Sequence, residues 1–250
     1  MNATFLISPA ARSELAPTGT LRAGINYGNV ILAGKDEKSG ELRGVHVDLV
    51  RELGRQAGMP VELIGFSAAG ELVAGLKAGT LDVALLSFEP TRAGEIVFSP
   101  TYLEIDATYL VPPGSPLRTT QDVDAEGVRI AITARSVYEY YLLKHLMRAK
   151  LMNAPSTHAA YELFATSKLD ALVGLRPRLV VDSRMMPGSR VLDGRFMMVE
   201  QSIASPRGRD IGAKYIREFL EEVKASGFIA QSLEKNGVRG ITVASKSAVT

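Results

Sequence analysis

Apolar residues along this chain follow two alternating rhythms. Leu21 to Asn26 is short and apolar-rich and stops at Gly28-Asn29, as a strand running into a turn does. Lys35 to Gly40 reads as a charged surface loop. Val47, Val50, Leu53 and Ala57 recur at three- and four-residue spacing and mark one face of a helix that ends at Gly58. Val61 to Ile64 reads as a strand, Glu71 to Lys77 as a helix closed by Gly79, and Asp82 to Ser87 as a strand with a uniformly apolar middle. Such alternation predicts a parallel sheet covered by helices, because each apolar strand run must be buried on both faces.

Thr108 to Val111 is extended and is broken by Pro112-Pro113-Gly114-Ser115-Pro116, the richest run of breakers in the chain, where we place a lobe boundary. Beyond it the pattern restarts. Strands are expected at Val128 to Ile132 and Ala171 to Gly174, with helices at Ser136 to Met147 and His158 to Thr166 between them. Phe196 to Ile203 is extended again. Arg209 to Ala225 is strongly amphipathic, a last helix covers Phe228 to Lys235, and the tail after Val243 is expected to fray.

Composition removes several classes of chemistry. With 29 Lys and Arg against 27 Asp and Glu the net charge is +2, so no general attraction to nucleic acid follows. The absence of cysteine excludes disulfides, thiolate metal sites and cysteine nucleophiles. His46, His145 and His158 lie far apart with no metal-ligand spacing and are expected to be structural or exposed; neither a metal nor a cofactor is expected. No nucleophile elbow, phosphate-cradling loop or dinucleotide fingerprint occurs. Residues 1–20 read as a loose leader without a secretory pattern, and no apolar run is long enough to span a bilayer.

Several short motifs occur in a set order. They are Gly44-Val45-His46-Val47-Asp48-Leu49, then Gly75 to Val83 with its Gly79-Thr80-Leu81-Asp82 core, then Arg92 six residues before Phe98-Ser99-Pro100, and finally Lys168-Leu169-Asp170-Ala171. In this order and spacing the chain resembles the type II solute-binding proteins of ABC transporters, family 3, the polar amino-acid-binding family, from about Leu21 to Gly237. The resemblance implies an α/β, two-lobed, periplasmic-binding-protein-like (type II) fold. Each lobe would be a mainly parallel sheet flanked by helices, and two hinge strands near Tyr109 and Val199 would join them. Lobe 1 would be discontinuous, residues 21–109 with 200–250, and lobe 2 would be residues 110–199. Ligand would lie in the cleft between lobes.

The same resemblance singles out site residues. At the position of Arg92 the family has an arginine that holds the ligand carboxylate, which suits a planar guanidinium with five donors; an ion pair with Glu89 or Glu95 is the alternative. The loop from Asp82 to Arg92 is about two residues shorter than is usual there. Ser136 stands where the family places a Ser or Thr against the carboxylate, and it is equally a helix N-cap. The usual preceding glycine is replaced by Arg135, which faces either a cleft rim or solvent. Tyr27 is a candidate lid over the ligand and Asn26 and Asn29 are candidate donors, with turn chemistry as the alternative. Ser87 and Phe88 line the same place by position. Leu175, followed by Arg176, stands where an acidic residue of the family usually meets the ligand ammonium: either another acid supplies that charge or the ligand is not an ordinary α-amino acid. A carboxylate ligand without an amino group fits Leu175 and the nearby arginines better, with Arg176 as a solvated turn residue the alternative.

The expected function is non-catalytic binding of a small carboxylate-bearing metabolite as the substrate-binding component of an ABC-type system. Membrane subunits would be its partners, and a monomer is expected. A cyclohexadienyl-dehydratase-like enzyme, with Glu139 or Asp106 as general acid, is one alternative. A cytoplasmic ligand-sensing module is another, set against the periplasmic location that the resemblance implies.

Overall fold

A computed structural model describes residues 7–246. In chain order the helices are α1 (Pro9–Leu15), α2 (Val45–Ala57), α3 (Ala69–Lys77), α4 (Val137–His145), α5 (Thr157–Thr166), α6 (Arg176–Met185), α7 (Asp210–Ala225) and α8 (Phe228–Lys235). The strands are β1 (Leu21–Asn26), β2 (Gly34–Lys35), β3 (Leu42–Arg43), β4 (Val61–Phe66), β5 (Val83–Ser87), β6 (Ile96–Phe98), β7 (Leu103–Val111), β8 (Arg129–Thr133), β9 (Lys150–Ala154), β10 (Ala171–Leu175), β11 (Arg190–Val191), β12 (Met197–Pro206) and β13 (Thr242–Val243). The chain forms two compact units, one running to Leu103 and resuming at Glu200, the other spanning Glu104–Val199. It passes from one to the other twice, in β7 and in β12.

In the first unit β1 pairs in parallel with β4 on one side and β5 on the other, and β5 is followed by antiparallel β12. Leu72 and Leu76 of α3 meet Leu81, Ala84, Leu86 and Ile96 in one buried cluster. Gly24 makes this approach possible: a Cβ there would come within 2.3 Å of Leu72 Cδ2, so α3 lies directly on β1. α2 starts at Val45, ahead of the predicted Val47, and ends as predicted at Gly58, which takes the left-handed conformation.

In the second unit β8 lies between β9 and β10, both parallel to it, and β10 pairs antiparallel with β7. Ile130, Ile132 and Val173 point into one apolar cluster, and Ala131 and Leu172 into another. Burial on both faces is why these strands read as continuous apolar runs.

The two units repeat one device. At the start of β1, Arg22 N–H donates to Asp82 Oδ2 at 3.0 Å and its guanidinium to both Asp82 oxygens at 2.8 Å, while Asp82 N–H donates to Arg22 O. At the start of β8, Arg129 N–H donates to Asp170 Oδ2 at 2.8 Å, and Asp170 N–H returns to Arg129 O. Each Leu-Asp motif therefore staples the amino ends of two parallel strands. Asp82 also accepts from Arg209, just before α7. Burial opposes the charge on Asp82, but the hydrogen bonds from Arg22 and Arg209 outweigh it and hold the carboxyl below its usual range.

Several expectations need correction. The leader, as far as it lies within the described residues, is tied down. Ser8 caps α1, Arg12 donates to the carbonyls of Ala57 and Gly58 at the end of α2, and Glu14 accepts from Gly212 N–H of α7. Residues 1–6, and residues 247–250 of the expected frayed tail, lie outside the description. The charged surface loop expected from Lys35 to Gly40 is present, and joins β2, which ends at Lys35, to β3, with Asp36 accepting from the N–H groups of Lys38 and Ser39. β9 and α6 have no counterpart in the sequence reading, since Lys150, Met152 and Asn153 of β9 are exposed and α6 lacks an apolar stripe. Among the described residues no helix is long and apolar enough to cross a membrane.

Candidate functional site

Parallel strands gather loops at their carboxyl ends, and the candidate residues lie at that edge in each unit. In the first unit, Asn26 ends β1 and Tyr27 and Asn29 follow it, while Ser87 ends β5 and Phe88 and Arg92 follow it. The local sequence explains the turn after β1. Asn26 Oδ1 accepts from Gly28 N–H at 3.0 Å, and Asn29 N–H donates to Asn26 O. A Cβ on Gly28 would approach Ser67 O to 2.2 Å, so only glycine fits. Tyr27 N–H donates to Phe66 O at the end of β4, and the ring lies against Gly65. The partly exposed ring borders an open groove of about 630 Å³ shared with the β2–β3 hairpin.

Arg92 lies at the end of a single 3₁₀ turn, Pro90–Arg92, and is only 9% exposed. Close by in sequence, Glu95 pairs with Lys77 at 2.6 Å, and Glu89 caps the turn through Thr91 N–H and hydroxyl. Ser87 Oγ accepts from Gln201 of the adjoining strand at 2.8 Å. Phe88 sets its ring edge-on to Phe98 at 5.2 Å. Ser87 and Phe88 thus brace the strand end from which the Arg92 turn departs.

In the second unit, Ser136 is the N-cap of α4. Its hydroxyl accepts from Glu139 N–H at 3.2 Å and donates to Thr133 O at 2.7 Å. Glu139 is buried; it accepts from Arg135 N–H with one oxygen and from Asn153 Nδ2 with the other, at 2.6 Å. Its carboxylate closes the helix start from within. Arg135 is exposed and has a positive φ of 60°, so the chain keeps the left-handed turn that a glycine adopts freely.

Leu175 ends β10 and is also the N-cap of α6. It packs on an apolar cluster of Ala107, Val137 and Val199 with Tyr138, Phe196 and Met197. Arg176 is not a solvated turn residue: it donates to Leu192 O and Gly194 O and lies 3.6 Å from Asp106, which also pairs with Arg195 at 3.1 Å. The two residues named as general acids are therefore both engaged by donors or cations. Among the described residues no three His, Cys, Asp or Glu side chains are grouped as a metal site.

Comparison with known proteins decides the family. The sequence profile of the bacterial extracellular solute-binding proteins, family 3, matches residues 21–238. This chain belongs to that family. Among solved structures, the solute-binding protein is similar to an ancestral amino acid-binding protein, a precursor of cyclohexadienyl dehydratase, at 21% identity and a TM-score of 0.78, covering 90% of this chain and 97% of that one. An amino acid ABC transporter substrate-binding protein from Streptococcus pneumoniae, bound to L-arginine, gives 17%, 0.78, 95% and 100% in the same terms. An ancestral arginine-binding protein bound to glutamine gives 22%, 0.73, 88% and 99%. At these identities the likeness is one of fold, and it makes this solute-binding protein periplasmic-binding-protein-like. No curated protein matches the sequence.

Sequence reading missed the roles of three residues in this solute-binding protein. Asp82 and Asp170 are staples, a role signalled by the repeated Leu-Asp before an apolar run. Glu139 completes Ser-x-x-Glu, a pattern with a known capping geometry.

Proposed function

We propose that this solute-binding protein holds a small carboxylate-bearing metabolite, amino-acid-like or a plain organic acid, at the carboxyl edge of its first unit. It binds the metabolite without converting it and serves as the substrate-binding component of an ABC-type transport system, working with membrane subunits outside the inner membrane. The observation that carries this reading is Arg92: an arginine only 9% exposed, on a tight turn that follows β5, at the edge where ligand sites of parallel sheets form. A planar fork in such surroundings takes a carboxylate bidentately and with little loss to solvent. Tyr27 supplies an apolar wall, while Ser136 and Arg135 form the corresponding edge of the second unit. Leu175, placed in an apolar cluster, supplies no charge for an ammonium, which favours acids lacking an amino group.

The test is a thermal-shift screen against amino acids, keto acids, dicarboxylates and aromatic acids, run on the parent protein and on Arg92→Ala. A ligand at a hundredfold its Kd stabilises the native state by about 2.7 kcal/mol. Such a rise in the parent, absent in the variant, supports the reading. A set of acids that leaves the parent unmoved, or that raises both proteins equally, overturns it.

A further inference from the structure

Lys35 ends β2 and is exposed, and its ammonium nitrogen stands 5.6 Å from the centroid of the Tyr27 ring. This is within the range at which a cation is held by the electron-rich face of an aromatic ring. Among the described residues no carboxylate pairs with Lys35. Asp36 beside it is committed to the hairpin turn: it accepts from the N–H groups of Lys38 and Ser39 and from the Ser39 hydroxyl, and these bonds hold its carboxyl below the usual range. The hairpin therefore presents a positive charge to Tyr27 from beside a short, hydrogen-bonded turn, and Tyr27 and Lys35 line the same open groove.

We infer that Lys35 is a specificity-determining residue that holds the Tyr27 face against cationic ligands and turns this edge toward anions. The inference rests on the reading of Tyr27 and Arg92 as ligand-holding groups and narrows its substrate class to acids without a cationic side chain, such as dicarboxylates. An incoming guanidinium or ammonium must displace an ammonium already on the ring and remain near it, with like charges repelling at close range. An incoming carboxylate meets Lys35 as an attractive charge. The hairpin thus acts as a built-in competitor for one class of ligand and a partner for the other.

Calorimetric titration of the full chain with L-arginine and with glutarate, on the parent, Lys35→Met and Lys35→Glu, tests this. Lys35→Met keeps the apolar stem and removes the charge, and an exposed hairpin position tolerates both changes. The expected result is preference for glutarate in the parent, with the arginine-to-glutarate affinity ratio rising at least tenfold in Lys35→Met and further in Lys35→Glu. Retained binding with an unchanged ratio, or a parent that prefers arginine, overturns the role of Lys35 and leaves the carboxylate-binding reading standing. Failure of parent and variants to bind either probe counts against both. Independently of ligand, the Lys35 ε-methylene proton resonances are expected upfield in the parent and at ordinary positions in Tyr27→Leu; identical positions in both refute the contact.

Discussion

Burial of His46 makes a pH dependence that is large and separable from every other group. The ring lies within the first unit, 1% exposed, edge-on to Tyr102 with centroids 6.2 Å apart, and neither ring nitrogen has a hydrogen-bond partner among the described residues. Desolvation alone pushes its pKa down from 6.5 to about 3. The unfolded chain takes up a proton near the ordinary value and the folded chain does not, so the neutral ring contributes stability above pH 6.5 that is lost as pH falls toward 3. Each pH unit in this window is worth about 1.4 kcal/mol, giving about 3 kcal/mol at pH 4 and about 5 kcal/mol in full. That is a large share of the 5–15 kcal/mol typical of a domain. Leucine at this position cannot titrate and suits a helix. Urea unfolding of the parent and His46→Leu, followed by circular dichroism at pH 7, 5 and 4, isolates the effect. Carboxylates that titrate in the same range occur in both proteins and cancel in the difference. The variant is expected to gain about 3 kcal/mol on the parent between pH 7 and pH 4. Parallel curves would refute the reasoning, because they would mean that the ring is charged, or reaches solvent, in the folded state.

The two strand staples provide a matched pair that differs in burial. Asp82 has a side chain 0% exposed facing two arginines, and its change to Asn is expected to cost about 3 kcal/mol by denaturation midpoint. Asp170, at 40% exposure against one arginine at 44%, is expected to lose no more than about 1 kcal/mol on the same change. Equal losses would show that burial does not set the strength of the device. At Arg135, relief of the left-handed backbone offsets the extra freedom of an unfolded glycine, so Arg135→Gly is expected to be neutral or stabilising by up to about 1 kcal/mol. Arg135→Val strains the same position and is expected to lower the melting temperature; the order Gly, Arg, Val from most to least stable checks the assignment.

Elements with strong periodicity or clear end signals were legible in the sequence. β1 and α8 match the predicted bounds, and α2 ends at the predicted Gly58. Elements whose burial comes from elsewhere in the chain were not. α1 looks like a loose polar leader until Arg12 finds the end of α2 and Glu14 the start of α7. β9 is held by its backbone pairing to β8 rather than by an apolar face. The same division applies to the candidate site. Motif spacing pointed to Arg92, but its near-complete burial depends on tertiary packing. Leu175 was legible as an unusual residue, and its packing among Ala107, Val137 and Val199 comes from three different elements.

The stapling of Asp82 to Arg209 sets an order for synthesis. The second unit is one unbroken stretch and carries its own staple, Arg129 to Asp170, so it holds everything it needs once residue 199 has been made. The first unit does not. β5 has no β12 beside it, Asp82 lacks Arg209, and α1 has no α7 to lie on until the last fifth of the chain emerges. Chains are made from the amino end, and units fold whole. The part translated first is therefore completed last, with β1, β4 and β5 left waiting while the inner unit closes.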